Sequence, residues 1–111
     1  MWNVPTEKEL SEIPCLYQND NSDIYDAIVH EHFFIGGCDW FVTEYDGKGV
    51  FYGFAILNQD YINAEWGYFS LDLLKNVKIG FLEIDRDLFW KKRPARAVET
   101  IMNAVSRQNN F

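Results

Sequence analysis

The chain has few cysteines, histidines, prolines and basic side chains, and each shortage excludes a class of protein. Its 111 residues include two cysteines, two histidines and three prolines. Two cysteines do not make a disulfide scaffold. Without a signal peptide, a lipidation motif or a long apolar run, we expect a cytoplasmic protein with reduced thiols and no membrane contact. With 10 basic against 17 acidic residues, the formal charge of −7 argues against a general nucleic-acid binder.

Sequence motifs of catalysis are missing as well. Ser70 has no Gly-x-Ser-x-Gly elbow around it, and the chain contains no glycine-rich phosphate loop. His30 and His32 could hold zinc only together with Cys38 or a carboxylate, because zinc needs three or four ligands. We therefore expect no metal, no other cofactor and no enzymatic activity.

Aromatic residues are abundant. They make up 17% of the chain, and apolar residues together make up 48%. One small core cannot readily enclose this number of rings. Some of them should therefore lie at the surface, where Tyr and Trp are favoured contact residues. An aromatic-rich core is the equally weighted alternative.

The charge is divided unevenly along the chain. Residues 1–90 carry 16 acidic and 5 basic side chains, a net charge of −11, whereas residues 91–111 carry 5 basic and 1 acidic, a net charge of +4. The acidic body could bind a basic groove, imitate a nucleic-acid backbone or simply keep the protein soluble. The basic tail could contact nucleic acid or an acidic partner, remain solvated, or fold back on the acidic body. Its basic residues are Lys91, Lys92, Arg93, Arg96 and Arg107.

Alternating apolar residues separated by short turns predict an antiparallel meander. The predicted strands are residues 27–35, 39–45, 50–57 and 64–69. The second strand should place Trp40, Val42 and Glu44 on one face and Phe41, Thr43 and Tyr45 on the other. Residues 81–90 fit either a fifth, edge strand or an extended segment laid across the domain.

Capping residues predict where helices begin. Thr6 with Glu9 has the spacing of a capping box, and Ser70 should cap a helix over residues 71–77. An amphipathic helix should follow Ala95. The fold class is therefore α+β, with a four- to five-stranded antiparallel meander, short helices packed on one face and a C-terminal helix. We expect one domain over residues 1–93 and a basic helical extension over residues 94–111.

Four segments occur in an order that resembles a known bacterial family. They are DWFVTE (residues 39–44), YGF (52–54), EWGYFSL (65–71) and IDRDLF (84–89). Over about residues 5–93 the chain resembles domain-of-unknown-function family 2958, which is carried by plasmids, conjugative elements and phages. Asp85 replaces the glutamate common in that family, and the extension past Pro94 has no counterpart in it. The resemblance implies a mobile-element habitat but no activity.

These observations favour a small acidic accessory protein of a phage or mobile element that acts by binding another protein. The partner we expect is a host defence nuclease, inhibited in the manner of an anti-CRISPR or anti-restriction protein by carboxylates in its basic groove. The residues expected to contact it are Glu44, Tyr45, Asp46, Asp60 and Glu65, close together at one end of the meander. Homodimerisation through exposed sheet aromatics would be compatible with this function.

Two alternatives belong to other classes. One is a small enzyme or ligand-binding module that uses the neighbourhood of Glu65, Arg86 and Asp87. The other is a nucleic-acid accessory protein that acts through residues 91–111, the only part of the chain expected to contact nucleic acid directly.

Overall fold

A five-stranded antiparallel sheet organises the computed structural model, which describes residues 4–109. The strands are β1 (Ile28–Val29), β2 (Glu31–Ile35), β3 (Cys38–Tyr45), β4 (Val50–Ile56), β5 (Glu65–Ser70), β6 (Lys78–Ile79), β7 (Leu82–Glu83), β8 (Asp85–Arg86) and β9 (Arg93–Pro94). The helices are α1 (Glu7–Ser11), α2 (Leu71–Asn76) and α3 (Glu99–Gln108), with 3-10 turns at Ile24–Asp26 and Ala95–Ala97. The main sheet has the order β5-β4-β3-β2-β8, which confirms the predicted α+β meander.

Both predicted helix caps are confirmed. The Thr6 hydroxyl accepts a hydrogen bond from the Glu9 amide at 3.1 Å, and the Glu9 carboxylate accepts one from the Thr6 amide at 2.9 Å. The Ser70 hydroxyl accepts a hydrogen bond from the Leu73 amide at 2.9 Å, so β5 passes directly into α2. These bonds satisfy amides that the first turn of a helix leaves without partners.

The prediction of one continuous strand over residues 27–35 is wrong, because the strand is interrupted at His30. Before the break, β1 pairs with β9; after it, β2 pairs with β3. Val29 is fully buried on the opposite side of the sheet from Phe33, and its carbonyl accepts a hydrogen bond from the Trp90 indole at 2.9 Å. A change of face between these two residues requires the strand to break, since alternation within one strand would give them the same face.

Residues 81–90 contain the fifth strand that the sequence left undecided. Within them, β8 lies at the edge of the sheet, with Arg86 opposite Phe33 and Asp85 opposite Phe34. Just before it, β6 and β7 form a small separate hairpin. Each of these three strands is only two residues long, and a sequence pattern cannot distinguish so short a strand from an extended segment.

Each face of the sheet carries a hydrophobic core. On the first face, Phe33, Trp40 and Phe51 pack with Leu10 of α1 and Leu74 of α2. On the second face, the core combines sheet residues with residues of the C-terminal segment, namely Phe41, Phe54, Ile56, Ala95, Val98, Ile101 and Ala104. The segment expected to be an extension thus supplies four of the nine buried residues that the structure describes in this core. Residues 1–3 and 110–111, at the outer ends of the two predicted segments, lie outside the described residues.

A β-bulge at Thr43 overturns the predicted faces of the last two residues of β3, whereas Trp40 and Val42 share a face opposite Phe41 as predicted. The register pairs Val42 with Gly53 but Glu44 with Tyr52, so Thr43 is the additional residue. As a result, Tyr45 packs with the first-face core, together with Trp40 and Val42, and Glu44 lies on the side of Tyr52. Strict alternation placed both residues on the wrong faces, because a bulge moves every later side chain to the other side.

Gly53 and Gly67 lie directly opposite each other and provide a matched pair of substitutions. A Cβ at Gly53 would collide with the Phe41 carbonyl oxygen, whereas a Cβ at Gly67 would meet nothing within 4 Å. We expect Gly53→Ala to lower the free energy of unfolding by about 3 kcal/mol or more, because the obstacle is backbone. Gly67→Ala should change it by less than about 0.5 kcal/mol. Urea unfolding of both variants measures this, and equal midpoints would contradict the close approach.

Candidate functional site

The five residues expected to contact a partner lie at two ends of the sheet. Glu44, Tyr45 and Asp46 are at the turn that joins β3 to β4, whereas Asp60 and Glu65 are where β4 leads into β5. The strand between them, β4, is about 20 Å long. The expectation that the five cluster at one end is therefore wrong, because antiparallel connection places successive turns at opposite ends.

Glu44 is used inside the fold. Its side chain lies under the loop of residues 17–19, and the residue is only 5% exposed. The carboxylate accepts hydrogen bonds from the Tyr17 amide at 3.0 Å, the Asn19 amide at 3.0 Å and the Asn19 side chain at 2.8 Å. The loop that Glu44 fixes, rather than Glu44 itself, faces the solvent.

Two of the other expected carboxylates stabilise turns. The amides of Val50 and Lys48 donate to Asp46 at 2.9 and 2.6 Å, which lowers the pKa of the Asp46 carboxyl. Asn63 donates to Asp60 through its side chain at 2.8 Å and its amide at 3.2 Å, which lowers the pKa of Asp60. Glu65 is exposed at the start of β5.

Tyr45 lies in a groove between α1 and α2. Its ring centroid is 4.8 Å from that of Phe51, so much of the side chain belongs to the first-face core. The groove has a volume of about 730 Å³ and is also lined by Leu10, Asp46 and Lys75. The part of Tyr45 that remains accessible therefore faces this groove. A partner-binding role for Tyr45, Asp46, Asp60 and Glu65 stays a prediction.

Exposed tyrosines gather next to the loop that Glu44 anchors. Tyr17 is 62% exposed and Tyr68 57% exposed, and the ring of Tyr52 meets that of Tyr68 edge-on at 5.0 Å. A hydrogen bond between the Tyr17 and Tyr68 side chains raises the pKa of Tyr68. We call Tyr17, Tyr52, Tyr68 and neighbouring Asp20 the tyrosine surface; together with the loop they border a cavity of about 330 Å³.

The tyrosine surface has a negative electrostatic character. Burial raises the pKa of Tyr52, and the negative charges of Glu44 and Asp20 raise it further. Aromatic faces beside carboxylates attract Lys and Arg side chains through cation–π and ionic contacts. Sequence reasoning missed Tyr17 and Tyr68, because the backbone of Tyr17 has a positive φ of 69° and a bulge turns Glu44 toward them.

A second cluster of ionisable residues lies between α1 and β8. The Arg86 guanidinium is 2.6 Å from the Glu9 carboxylate and 3.8 Å from that of Glu31. Burial raises the pKa of Glu31. The pKa of Glu9 is lowered, because its carboxylate accepts a hydrogen bond from the Thr6 amide and lies beside Arg86. We call Glu9, Glu31 and Arg86 the ionic cluster.

The neighbourhood of Glu65, Arg86 and Asp87 proposed for an enzyme does not form. Glu65 is on β5 and Arg86 on β8, the two opposite edges of the sheet. The cavity beside the ionic cluster measures about 150 Å³, half of the smallest usual ligand pocket of about 300 Å³. Its size and its internal ion pairs favour a role in holding α1 against the sheet.

The two histidines lie in different surroundings. His32 stacks on Phe41 at 4.5 Å, and its ring nitrogens lie 2.7 Å from Asp39 and 3.3 Å from Asp87. Burial lowers the pKa of His30. Within residues 4–109, no group of three or more histidine, cysteine or carboxylate side chains is placed to hold a metal ion.

The basic C-terminal segment folds back on its own chain, one of the alternatives that the sequence left open. Lys92 is 2.8 Å from Glu12, and Arg96 is 2.6 Å from Asp26. Two further cations lie over aromatic rings, Arg93 over Trp90 at 3.9 Å and Arg107 over Tyr61 at 4.8 Å. These cations are thus engaged within the molecule, although exposed pairs of this kind are weak.

Comparisons of the chain with protein-family models, curated proteins and solved structures find no match. Among the helices of residues 4–109, none has both the length and the apolar character needed to cross a membrane. The resemblance to family 2958 stays a prediction.

We expect Glu44→Gln to destabilise the protein, because the three donors that now share two carboxylate oxygens would find a single acceptor oxygen on glutamine. The free energy of unfolding should fall by about 2 kcal/mol, and the loop of residues 17–19 should become more sensitive to protease. Glu65→Gln, which changes an exposed carboxylate, is the control and should change the free energy by less than about 0.5 kcal/mol. Equal urea midpoints for the two variants would contradict the anchoring role.

Glu31 and Glu9 contact the same arginine but should respond to pH in opposite ways. The raised pKa of Glu31 means that its ionisation destabilises the fold as pH rises above the ordinary value of 4.5, so Glu31→Gln should stabilise the protein progressively there. The lowered pKa of Glu9 means that its contribution is present above 4.5 and is lost on acidification, so Glu9→Gln should destabilise at neutral pH but not in acid. Thermal unfolding of both variants between about pH 3 and about pH 7, a range that spans the ordinary carboxyl pKa values, measures these trends. Parallel pH profiles would refute the assignment.

Proposed function

We propose that the protein acts by binding another protein, with the tyrosine surface as the contact site and a basic surface as its target. The observation that carries this proposal is the exposure of Tyr17 and Tyr68 together, on a part of the sheet that the helices leave uncovered. Tyrosine is enriched at protein interfaces because it combines a large apolar area with a polar end. Rigid rings that already contact each other lose little entropy when a partner binds.

The charge of the chain supports a basic partner. The net charge of −7 attracts a basic surface over long range, and Asp20 and Glu44 provide negative charge at the site itself. The remaining carboxylates are distributed over the molecule, so they steer the encounter rather than form a single docking patch. Short-range affinity would then come from the tyrosine rings.

A basic groove built for phosphates is the kind of surface that meets these requirements. We propose a host defence nuclease of the restriction or CRISPR type as the partner, and inhibition of that nuclease as the result. This narrower proposal depends on the mobile-element habitat that the resemblance to family 2958 implies. It also requires no catalytic residue in this chain.

We expect Tyr17→Ala combined with Tyr68→Ala to abolish capture of a basic protein from host lysate, because both exposed rings are removed. Phe89→Ala is the matched control, since Phe89 is 92% exposed on a different part of the surface and should leave capture unchanged. Captured proteins are identified by mass spectrometry at low and high salt, and binding should weaken as salt rises.

If the captured protein is a nuclease, the wild-type chain should inhibit cleavage of its DNA substrate and the double variant should not. Equal capture by the wild type and the double variant would count against the tyrosine surface. Capture of acidic proteins alone would count against the electrostatic part of the proposal.

A further inference from the structure

The outer edge of β5 presents backbone groups that can pair with another strand. In the described sheet β5 is an end strand whose one neighbour is β4. An edge strand carries a row of amides and carbonyls directed away from the sheet, and these can bind an added strand. The sequence of β5 contains neither the proline nor the lysine that commonly blocks such an edge.

The register identifies which residues direct their backbone outward. The Leu71 amide donates to the Gly49 carbonyl at 2.8 Å, and Gly49 opposite Leu71 continues the register in which Val50 faces Ser70. In an antiparallel pair, hydrogen-bonded positions alternate with non-bonded ones. Ser70, Tyr68 and Trp66 are therefore the non-bonded positions, and their amides and carbonyls point away from β4.

Charged side chains mark both ends of this edge. Glu65 begins β5, Asp72 follows its end, and no basic residue occurs between them. A second copy of the chain, paired about Tyr68, would place Glu65 of each copy opposite Leu71 and next to Asp72 of the other, and like charges at such neighbouring positions repel each other. An extended segment with basic residues at both ends meets opposite charges instead.

We propose that β5 accepts an extended, basic segment of the partner as a sixth strand of the sheet, in register with Trp66, Tyr68 and Ser70. This inference rests on the proposed function and specifies its geometry. Tyr68 belongs to both features, since its ring is part of the tyrosine surface and its amide points out from the edge. Backbone pairing provides affinity along β5, and the rings of Trp66 and Tyr68 contact alternate side chains of the added strand.

The probe is a synthetic eight-residue peptide of alternating Thr and Val with Lys at each end. Added at millimolar concentration, it should cause saturable NMR shifts of the Trp66, Tyr68 and Ser70 amides. The same peptide with Glu at both ends, or with its edge-facing amides N-methylated, should bind at least about tenfold more weakly, since an ionic pair or a backbone bond is lost. Absence of a saturable shift at these three amides, or equal binding of the N-methylated peptide, overturns the proposal.

Two substitutions at one position separate the backbone contribution from the ring. Tyr68→Ala removes the ring and keeps the outward amide, whereas Tyr68→Pro removes both, and neither breaks a bond to β4. Tyr68→Pro should bind the Lys-ended peptide about tenfold more weakly than Tyr68→Ala. If the proline variant does not fold, as judged by circular dichroism, binding of the N-methylated peptide to the wild-type chain tests the backbone contribution instead.

These results distinguish the two proposals. The tyrosine surface is supported and strand addition is overturned if Tyr68→Ala loses partner capture, while Tyr68→Pro binds the peptide as Tyr68→Ala does and N-methylation of the peptide leaves its binding unchanged. Specific peptide binding at β5, without capture of any basic protein, supports strand addition and overturns the proposed function.

Discussion

The bulge at Thr43 is the feature on which both the core and the candidate surface depend. The Thr43 hydroxyl donates a hydrogen bond to the Tyr52 carbonyl at 3.2 Å, at the point where the strand gains its additional residue. Beyond this point Tyr45 turns into the first-face core and Glu44 turns to the second face. There the carboxylate of Glu44 holds the loop that carries Tyr17. Without the bulge, Glu44 would face the first-face core and the loop would lose its anchor.

Local features of the fold were predictable because they depend on interactions between residues that are close in sequence. Thr6 with Glu9, and Ser70 ahead of an apolar turn, identified the helix starts through capping chemistry that operates over three residues. The meander followed from short polar turns between alternating strands. The break at His30 and the bulge at Thr43 were not predictable, because each depends on which distant element covers the strand.

The candidate surface was predictable in kind but not in its residues. Excess aromatic residues and negative charge indicated that rings and carboxylates would meet at the surface, and they do so around Tyr52 and Asp20. The particular residues chosen from the turns failed to cluster, because successive turns of an antiparallel sheet lie at opposite ends. Asp46 is in addition engaged by the backbone amides of its own turn. Tyr17 lies far from Tyr68 in sequence, and only the anchored loop brings them together.

The pairing of β1 with β9 has a consequence for the order in which the protein forms. Val29 is synthesised well before its partner Arg93 and before the helix that covers Phe41 and Phe54. During translation the first face can close over α1 and α2, while the second face remains uncovered until the segment that carries Ala95 and α3 has been made. The nascent chain therefore exposes aromatic surface to chaperones, and a ribosome that stalls before Ala95 would release an aggregation-prone fragment.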